Sequence, residues 1–353
     1  MVPSPFFRVS GLALGCALCG CAGEPKTEVH AAANGHASLD GAVRWENEIR
    51  LEENEQTVNV IVRAELDPRG GYLVADEQEG FARRYDRTGR LLTQFARKGS
   101  GPGEFRNLLR VVRLTDGTLA AFDIYNRVAF FDSTGERLVR EARTPVAPLH
   151  SVALLNDSIA VLGGQVQGAT AEGNRIHFWN LRADSLLASF FVPALPSEAH
   201  KVAAASAGWI SVDRRADTLA VVFALSDTVY LMTVQGRMLE RIPIPAKSLR
   251  RLDPHAPMPD PSRGIAAARQ WFGSFSLISD VFWLGDTFLI QYQDRKRPEP
   301  DWRLLGMKRD GGPRFEVVDT PKLLMVDRTS GVLYFVAPES ETPNVWRTAR
   351  LRR

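Results

Sequence analysis

The chain has 353 residues, of which 44% are hydrophobic, and its 44 Lys and Arg residues nearly balance its 41 Asp and Glu residues. This composition is typical of a globular protein with a sizeable core. No basic block and no nucleic-acid-binding motif stands out, so the charge pattern argues against a nucleic-acid partner. A chain of this length contains two or three domains or one large repeat architecture.

The N-terminus reads as an export signal. Arg8 precedes a short apolar stretch, Val9 to Leu18, which is too short to span a bilayer. The stretch ends in Leu18-Cys19-Gly20-Cys21, which resembles the lipobox of bacterial lipoproteins. The resemblance implies that residues 1–20 are a signal peptide and that Cys21 is the lipid attachment site. The alternative is an ordinary signal peptide cleaved near Ala22 or Gly23, which leaves a soluble periplasmic protein.

Residues 21–41 are predicted to form a flexible tether. They are rich in Ala, Gly, Asn, Glu and Lys, and no apolar period runs through them. In lipoproteins an Asp directly after the lipidated cysteine tends to retain the protein at the inner membrane, whereas Ala22 stands in that place here. We therefore expect an exported protein held on the outer membrane of a bacterial envelope through its N-terminal lipid.

Two neighbouring segments share one pattern of strands and turns. The acids that close their first strands, Asp76 and Asp123, are 47 residues apart, and their turn glycines, Gly89 and Gly135, are 46 apart. Two separate markers with nearly one period indicate an internal repeat. The matching strands are Tyr72–Asp76 with Leu119–Asp123, Phe81–Tyr85 with Val128–Phe131, and Leu91–Phe95 with Arg137–Arg140.

The same period continues through the rest of the chain and gives six units between about Val43 and Arg353. Short strands with frequent turns and a unit of about 47 residues predict the four-stranded blades of an all-β, six-bladed β-propeller spanning residues 42–353. The last unit is one strand short, whereas Val43–Leu51 is an alternating strand with no unit of its own. We predict that this N-terminal strand completes the last blade and closes the ring.

The run Gly99-Ser100-Gly101-Pro102-Gly103-Glu104-Phe105, together with the two units around it, resembles NHL-type six-bladed β-propellers, and more closely the bacterial 6-bladed β-propeller lipoproteins. The resemblance is strong over about Val58 to Arg140. It implies export and a propeller fold, without implying one activity. Phe105 is expected to anchor this turn in the core.

One long segment interrupts the regular pattern. Residues Pro243 to Ser274 include six prolines, five basic residues and a short predicted helix, Ile265–Phe272, with Trp271 and Phe272 as anchors. A long excursion in a compact ring is either functional or loosely held. Two interpretations stay open: a lid or partner surface, and an ordinary loop between blades.

Counting back 13 residues from equivalent positions in three units gives Arg63, Arg110 and His150. In the fifth unit, with one deletion allowed, the position falls near Asp280, and in the sixth it falls near Leu323 or Leu324. If the innermost strands share one register, three cations line one face of the channel and form a candidate binding site for a carboxylate or phosphate. The alternative is that these side chains pack along the channel wall and pair with acids such as Glu65.

The sequence contains no standard catalytic motif, and no cofactor or metal ligand set is predicted. Asp76 and Asp123 are interpreted as turn caps, since they end equivalent strands in adjacent blades. The favoured function is a non-catalytic binding or scaffolding module for an unknown protein or anionic small molecule. The alternatives are a metal-dependent propeller hydrolase or lactonase, and a structural component of an envelope complex.

Overall fold

The fold is described from a computed structural model that covers residues 38–169, 172–258, 264–294, 301–337 and 343–352. The predicted lipid attachment site Cys21 and the tether as far as residue 37 lie outside the described residues. Within them, six four-stranded antiparallel sheets form the six blades of a β-propeller, which confirms the predicted fold class. We call them blades 1 to 6 in chain order of their innermost strands.

The strands of the first three blades follow one another in the chain. The chain begins with a helical turn and an isolated strand, α1 (Leu39–Ala42) and β1 (Val43–Arg50). Blade 1 contains β2 (Ile61–Leu66), β3 (Tyr72–Asp76), β4 (Ala82–Tyr85) and β5 (Leu91–Phe95). A small parallel pair follows, β6 (Arg97–Lys98) and β7 (Glu104–Phe105). Blade 2 contains β8 (Leu108–Arg113), β9 (Leu119–Asp123), β10 (Arg127–Phe131) and β11 (Leu138–Arg143). Blade 3 contains β12 (Val146–Asn156), β13 (Ile159–Val166), β14 (Ile176–Asn180) and β15 (Ser185–Phe190).

Two helices accompany the second half of the ring. Helix α2 (Glu198–Ala207) precedes blade 4, which contains β16 (Ile210–Arg215), β17 (Thr218–Phe223), β18 (Thr228–Thr233) and β19 (Met238–Pro243). Helix α3 (Gly264–Phe272) precedes blade 5, which contains β20 (Ser276–Leu284), β21 (Thr287–Asp294), β22 (Asp301–Lys308) and β23 (Pro313–Val317). The last blade is built from β24 (Leu323–Asp327), β25 (Val332–Val336), β26 (Val345–Leu351) and β1.

Strand β1 closes the ring as predicted. It pairs antiparallel with β26 from Val43 opposite Leu351 to Arg50 opposite Val345. Its side chains also join the core, because Val43 is fully buried and the Trp45 ring meets Phe335 edge-on at 5.4 Å. The folded body begins earlier than residue 42, since Leu39 in α1 is buried in the same cluster.

The hydrophobic core is distributed between blades. Six clusters of buried residues each join two neighbouring blades, one cluster at each seam of the ring. At the seam between blades 1 and 2, Phe105 is fully buried beside Phe95 and Phe131. The Glu104 carboxylate accepts the backbone N–H groups of Ser100 and Gly101 at 3.0 and 2.8 Å. The glycine-rich turn is therefore a fixed connector anchored as predicted.

Residues in the left-handed region make the tight turns. Gly89 and Gly135 have φ values of +90° and +92°, which glycine adopts without steric cost. The matching turn of blade 3 contains no glycine, and Asp184 takes φ +51° there. A short polar side chain tolerates this conformation better than most. The substitution explains why the repeat is harder to detect in the third unit.

The connections leave the ring on two faces. In each antiparallel blade, the link from the second to the third strand and the link to the next blade emerge on one side, which we call the upper face. The long segment between β19 and β20 and helix α2 both lie on the upper face. Helix α3 confirms the predicted helix, and Trp271 packs with the alanines of α2 in a seventh cluster.

Candidate binding sites in the channel and on the upper face

The innermost strands share a bulge near the upper face. In blade 2, Leu108 lies opposite Asp123 and Arg110 lies opposite Phe122, so one extra residue separates the two pairs. Blade 1 has the same interruption, which places Arg63 and Arg110 at equivalent positions. A bulge of this kind changes the direction in which the following side chains point. Because blades 1 and 2 both contain it, their innermost strands keep the same register.

His150 is offset from this register by one residue. In blade 3, Leu149 lies opposite Gly164 and Ser151 lies opposite Gly163. Ser151 therefore occupies the place of Arg63 and Arg110, and His150 is the extra residue in the bulge. The count from the sequence was wrong by one residue here. It took Gly163 as the equivalent of Asp76 and Asp123, whereas the strand pairing shows that Gly164 is their equivalent.

Arg63 reaches across the channel to blade 5. Its guanidinium stacks over the Phe282 ring at 4.4 Å, and its Nη1 lies 3.5 Å from Asp280 Oδ1. Asp280 directly follows the bulge of its own strand, as the count predicted. The structure thus brings Arg63, the first cation of the predicted site, close to Asp280, which occupies the equivalent position in blade 5.

Arg110 contacts both neighbouring blades. It forms an ion pair with Glu65 of blade 1 and donates a hydrogen bond to the carbonyl of Val152 in blade 3. Burial lowers the pKa of Arg110 to about 10, against the opposing effect of Glu65, so the side chain stays charged at neutral pH. The pairing with Glu65 is the alternative that the sequence left open.

His150 adds no positive charge at neutral pH. Burial, with a further contribution from the nearby Arg175, lowers the pKa of His150 to about 3. The imidazole is therefore neutral, and the predicted group of three cations contains two.

Lys322 is a channel cation that the sequence count missed. It directly precedes β24, and its Nζ donates to the carbonyl of Ile61 at 2.7 Å. Burial lowers its pKa, and Asp280 and Glu77 oppose that effect. Burial likewise raises the pKa of Glu77. Among the described residues, each of these three channel cations therefore has a carboxylate nearby: Asp280 for Arg63, Glu65 for Arg110, and Asp280 and Glu77 for Lys322.

Some polar atoms in this region lack a hydrogen-bond partner within the described ranges. They are Arg63 Nη1, Arg110 Nε, Ser151 Oγ and His150 Nδ1. Buried polar groups normally have partners, and water or a bound ligand supplies them where the protein does not. The carboxylates beside Arg63 and Arg110 weigh against an anion as that partner.

Asp76 and Asp123 cap turns. Asp76 accepts backbone N–H groups of Asn59, Gln78 and Glu79 at 2.6 to 2.9 Å. Asp123 accepts the N–H of Tyr125 at 2.5 Å. Among the residues that the structure describes, no group of three or more His, Cys, Asp or Glu residues is arranged to hold a metal ion.

A pocket of about 420 Å³ opens on the upper face between blade 4 and the Pro-rich segment. We call it the seam pocket. Four parts of the chain line it: the approach to α2 with its first turn, the loop from β17 into β18, part of the long segment, and the first residue of β20. Its residues are Ala194, Pro196, His200, Ala224–Thr228, Tyr230, Leu249–Pro254 and Ser276. The volume lies in the lower part of the range for small-molecule sites, and the pocket is open to solvent on one side.

Charged groups surround the seam pocket at two depths. At the rim, Arg251 Nε donates to Asp227 at 2.6 Å, and both side chains are well exposed. Deeper, Asp294 is almost fully buried and its Oδ2 accepts from Arg250 Nε at 3.1 Å and Arg303 Nη2 at 2.8 Å. Arg250 and Ser276 line the inner wall, whereas Asp294 and Arg303 do not line the pocket, and Asp301 is paired directly opposite Asp294 on β22.

Two hydrogen bonds fix the inner wall. Ser276 Oγ donates to Asp294 Oδ1 at 2.5 Å, and Arg250 Nη1 donates to the carbonyl of Gly273 at 2.9 Å. The seam pocket was not predicted as a site, although the sequence did single out the segment that forms one of its walls. Its other walls come from α2 and a blade 4 loop, and nothing in the sequence pattern shows that these meet.

Comparison with known proteins gives the fold and no family. No known protein family profile and no curated protein matches the chain. Among solved structures, a member of the DUF4221 family from Bacteroides vulgatus is similar with a TM-score of 0.61 at 12% identity, covering 88% of this chain and 97% of that one. A Bacteroides fragilis protein provisionally described as exported has a TM-score of 0.59 at 12% identity, covering 90% and 97%.

In the described residues, no helix is long and apolar enough to cross a membrane.

Proposed function

We propose that this protein is an exported β-propeller that acts as a binding module, with the seam pocket as its ligand site. The observation that carries the proposal is that departures from the regular blade pattern converge on one cavity. Helix α2 and the Pro-rich segment are additions to a ring that closes without them, and together with blade 4 they border an open pocket of about 420 Å³. The structural similarity to a protein provisionally described as exported supports the proposal that this protein is exported.

The channel supports this choice of site. Arg63, Arg110 and Lys322 each have a carboxylate nearby, an arrangement that links different blades of the ring. Two arginines beside the channel are also poor neighbours for a divalent cation, which weighs against the metal-dependent hydrolase alternative. A binding or scaffolding role needs neither a metal nor a nucleophile.

Filling the seam pocket is expected to abolish ligand capture. Ala194 is exposed and lines the pocket, so Ala194→Trp places a large ring in the cavity without disturbing the core. The purified protein is incubated with an organic extract of native envelopes and analysed by native mass spectrometry. We expect a mass shift for the wild-type protein and its loss in Ala194→Trp.

The matched control is Ala205→Trp, on an exposed position of α2 outside the pocket lining. It should retain the mass shift. Equal capture by the wild-type protein and Ala194→Trp would show that the ligand binds elsewhere. A wild-type protein that captures nothing would favour the alternative of a structural component of an envelope complex.

We also propose that the protein is a lipoprotein attached through Cys21. The lipobox resemblance supports this, and several acyl chains, at about 0.8 kcal/mol per buried methylene, hold a protein firmly on a membrane. In Cys21→Ser, the body should be released from the membrane fraction or remain unprocessed. Membrane fractionation and the mass of the mature N-terminus measure this, and an unchanged membrane-bound fraction would contradict it.

A further inference from the structure

Both ends of the propeller chain lie on the face opposite the seam pocket. We call this side the lower face; the links from the first to the second strand and from the third to the fourth strand of each blade emerge there. Strand β1 begins on it, because Val43 lies opposite Leu351 at the end of the third strand of blade 6. Arg352 N also donates to the carbonyl of Ala42 at 2.9 Å, so the chain enters and leaves the ring at one place.

A short stretch of sequence separates this place from the proposed lipid. Residues 22–37 connect Cys21 to Ser38, where the described body begins. For the flexible tether that the sequence predicts, this length gives a root-mean-square span of about 20–25 Å. The blade strands, most of which have five to eight residues, are themselves roughly 15–25 Å long. To bring the lipid beyond the upper face, the tether would have to extend past its average span, which costs conformational entropy.

Short polar turns form the lower face. The turn before β5 contains Asp86, Arg87 and Arg90, and the matching turn before β11 contains Asp132 and Arg137. The two aspartates accept backbone N–H groups of their own turns at 2.8 to 3.2 Å, whereas the arginines are exposed. Exposed guanidinium groups suit the phosphates of lipid headgroups, and charged turns do not enter the hydrocarbon of a bilayer without a large cost.

The seam pocket opens on the opposite side of the ring. Its walls include the first turn of α2 and part of the Pro-rich segment, both of which lie on the upper face. A body held by its lower face therefore has the thickness of the propeller between the pocket and the membrane.

From this arrangement we propose that the lower face rests against the headgroups of the membrane that carries the Cys21 lipid. The seam pocket then faces the aqueous compartment, and its ligand reaches it through water instead of by lateral entry from the bilayer. This inference rests on the lipid attachment and the ligand site proposed above.

The cysteine content of the chain permits a direct test. Its three cysteines are Cys16, Cys19 and Cys21. Under the proposed processing, cleavage removes the first two and lipidation blocks the thiol of the third. A single introduced cysteine is then the one free thiol of the mature protein, and a fluorophore can be attached to it.

Four single-cysteine variants report on the two faces. Ala183→Cys and Thr329→Cys lie in exposed lower turns of blades 3 and 6, on opposite sides of the ring, and Tyr125→Cys and Ala205→Cys lie at exposed upper positions. The labelled, lipidated proteins are added to preformed vesicles whose phospholipid headgroups carry a nitroxide, which quenches fluorescence only at short range. We expect loss of fluorescence at both lower positions and none at either upper position.

Modification of the unlabelled thiols is the second measurement. A bulky, water-soluble maleimide is added to the same four variants, free in detergent and bound to vesicles. Binding to vesicles should slow the modification of Ala183→Cys and Thr329→Cys and leave the rate at Ala205→Cys, on the helix beside the pocket, unchanged.

The control adds Cys21→Ser to Thr329→Cys, and it should lose both vesicle binding and quenching. If this variant stays on the vesicles and is still quenched, the lower face binds the membrane and the lipid-attachment proposal is wrong. If all four positions are quenched equally, the body has no preferred face, and the inference fails although lipid attachment stands.

Two further outcomes overturn the inference. Quenching confined to Tyr125→Cys and Ala205→Cys would show that the upper face meets the membrane, through exposed apolar side chains such as Val202, and that the pocket draws on the bilayer. Vesicle-bound protein without quenching at any position would show that the body is held away from the headgroups.

Discussion

Deletion of residues 42–52 is expected to destabilise the propeller by about 5 kcal/mol or more, since burial of each large apolar side chain contributes roughly 1.5–3 kcal/mol. The deletion removes β1, with the fully buried Val43 and the partly buried Trp45, and the buried Leu51 that follows it. It also leaves β26 without its outer partner. The expected result is a large fall in melting temperature, or aggregation through the exposed edge.

Deletion of residues 24–35 is the control. The sequence predicts a flexible tether over these residues, so the melting temperature should stay close to that of the full mature chain. The control stops short of α1 because Leu39 is buried and Asp40 Oδ1 accepts from Trp45 Nε1 at 2.6 Å. Equal melting of both deletions would contradict closure of the ring by the N-terminal strand.

The fold could be predicted from the sequence because residues that recur with a fixed period indicate a repeated structural unit. Asp76 and Asp123 cap turns at equivalent places, and Gly89 and Gly135 need the left-handed region, so these residues recur with the period of the blade. Where another residue meets the same need, as Asp184 does in blade 3, the signal weakens without any change in the fold.

The candidate site was less accessible because it depends on tertiary neighbours. Counting placed Arg63 and Arg110 correctly, since their strands share one bulge, but missed His150 by one residue. No count reveals that Arg63 meets Asp280, which is four blades later in the chain. The seam pocket is harder still, because its walls come from segments that share no repeat.

Replacing both channel arginines, Arg63→Gln with Arg110→Gln, is expected to cost about 3–5 kcal/mol, the range for breaking a buried ion pair by removing one partner. The change leaves the carboxylates of Asp280 and Glu65 without their nearest cations. Two full penalties are not expected, because Lys322 still acts on Asp280 and the Glu65 side chain is 25% exposed. Thermal and urea unfolding of the variant measure the effect.

The matched control is Arg44→Gln with Arg50→Gln, which removes two exposed cations from β1 and should change melting little. Adding Glu65→Gln and Asp280→Asn to the channel variant should restore part of the lost stability, because the stranded charges are then gone. The hypothesis of an anion site at Arg63, Arg110 and His150 gives the opposite result. If the channel variant keeps its stability, and phosphate or acetate raises the melting temperature of the wild-type protein alone, the cations bind a ligand and their structural role is wrong.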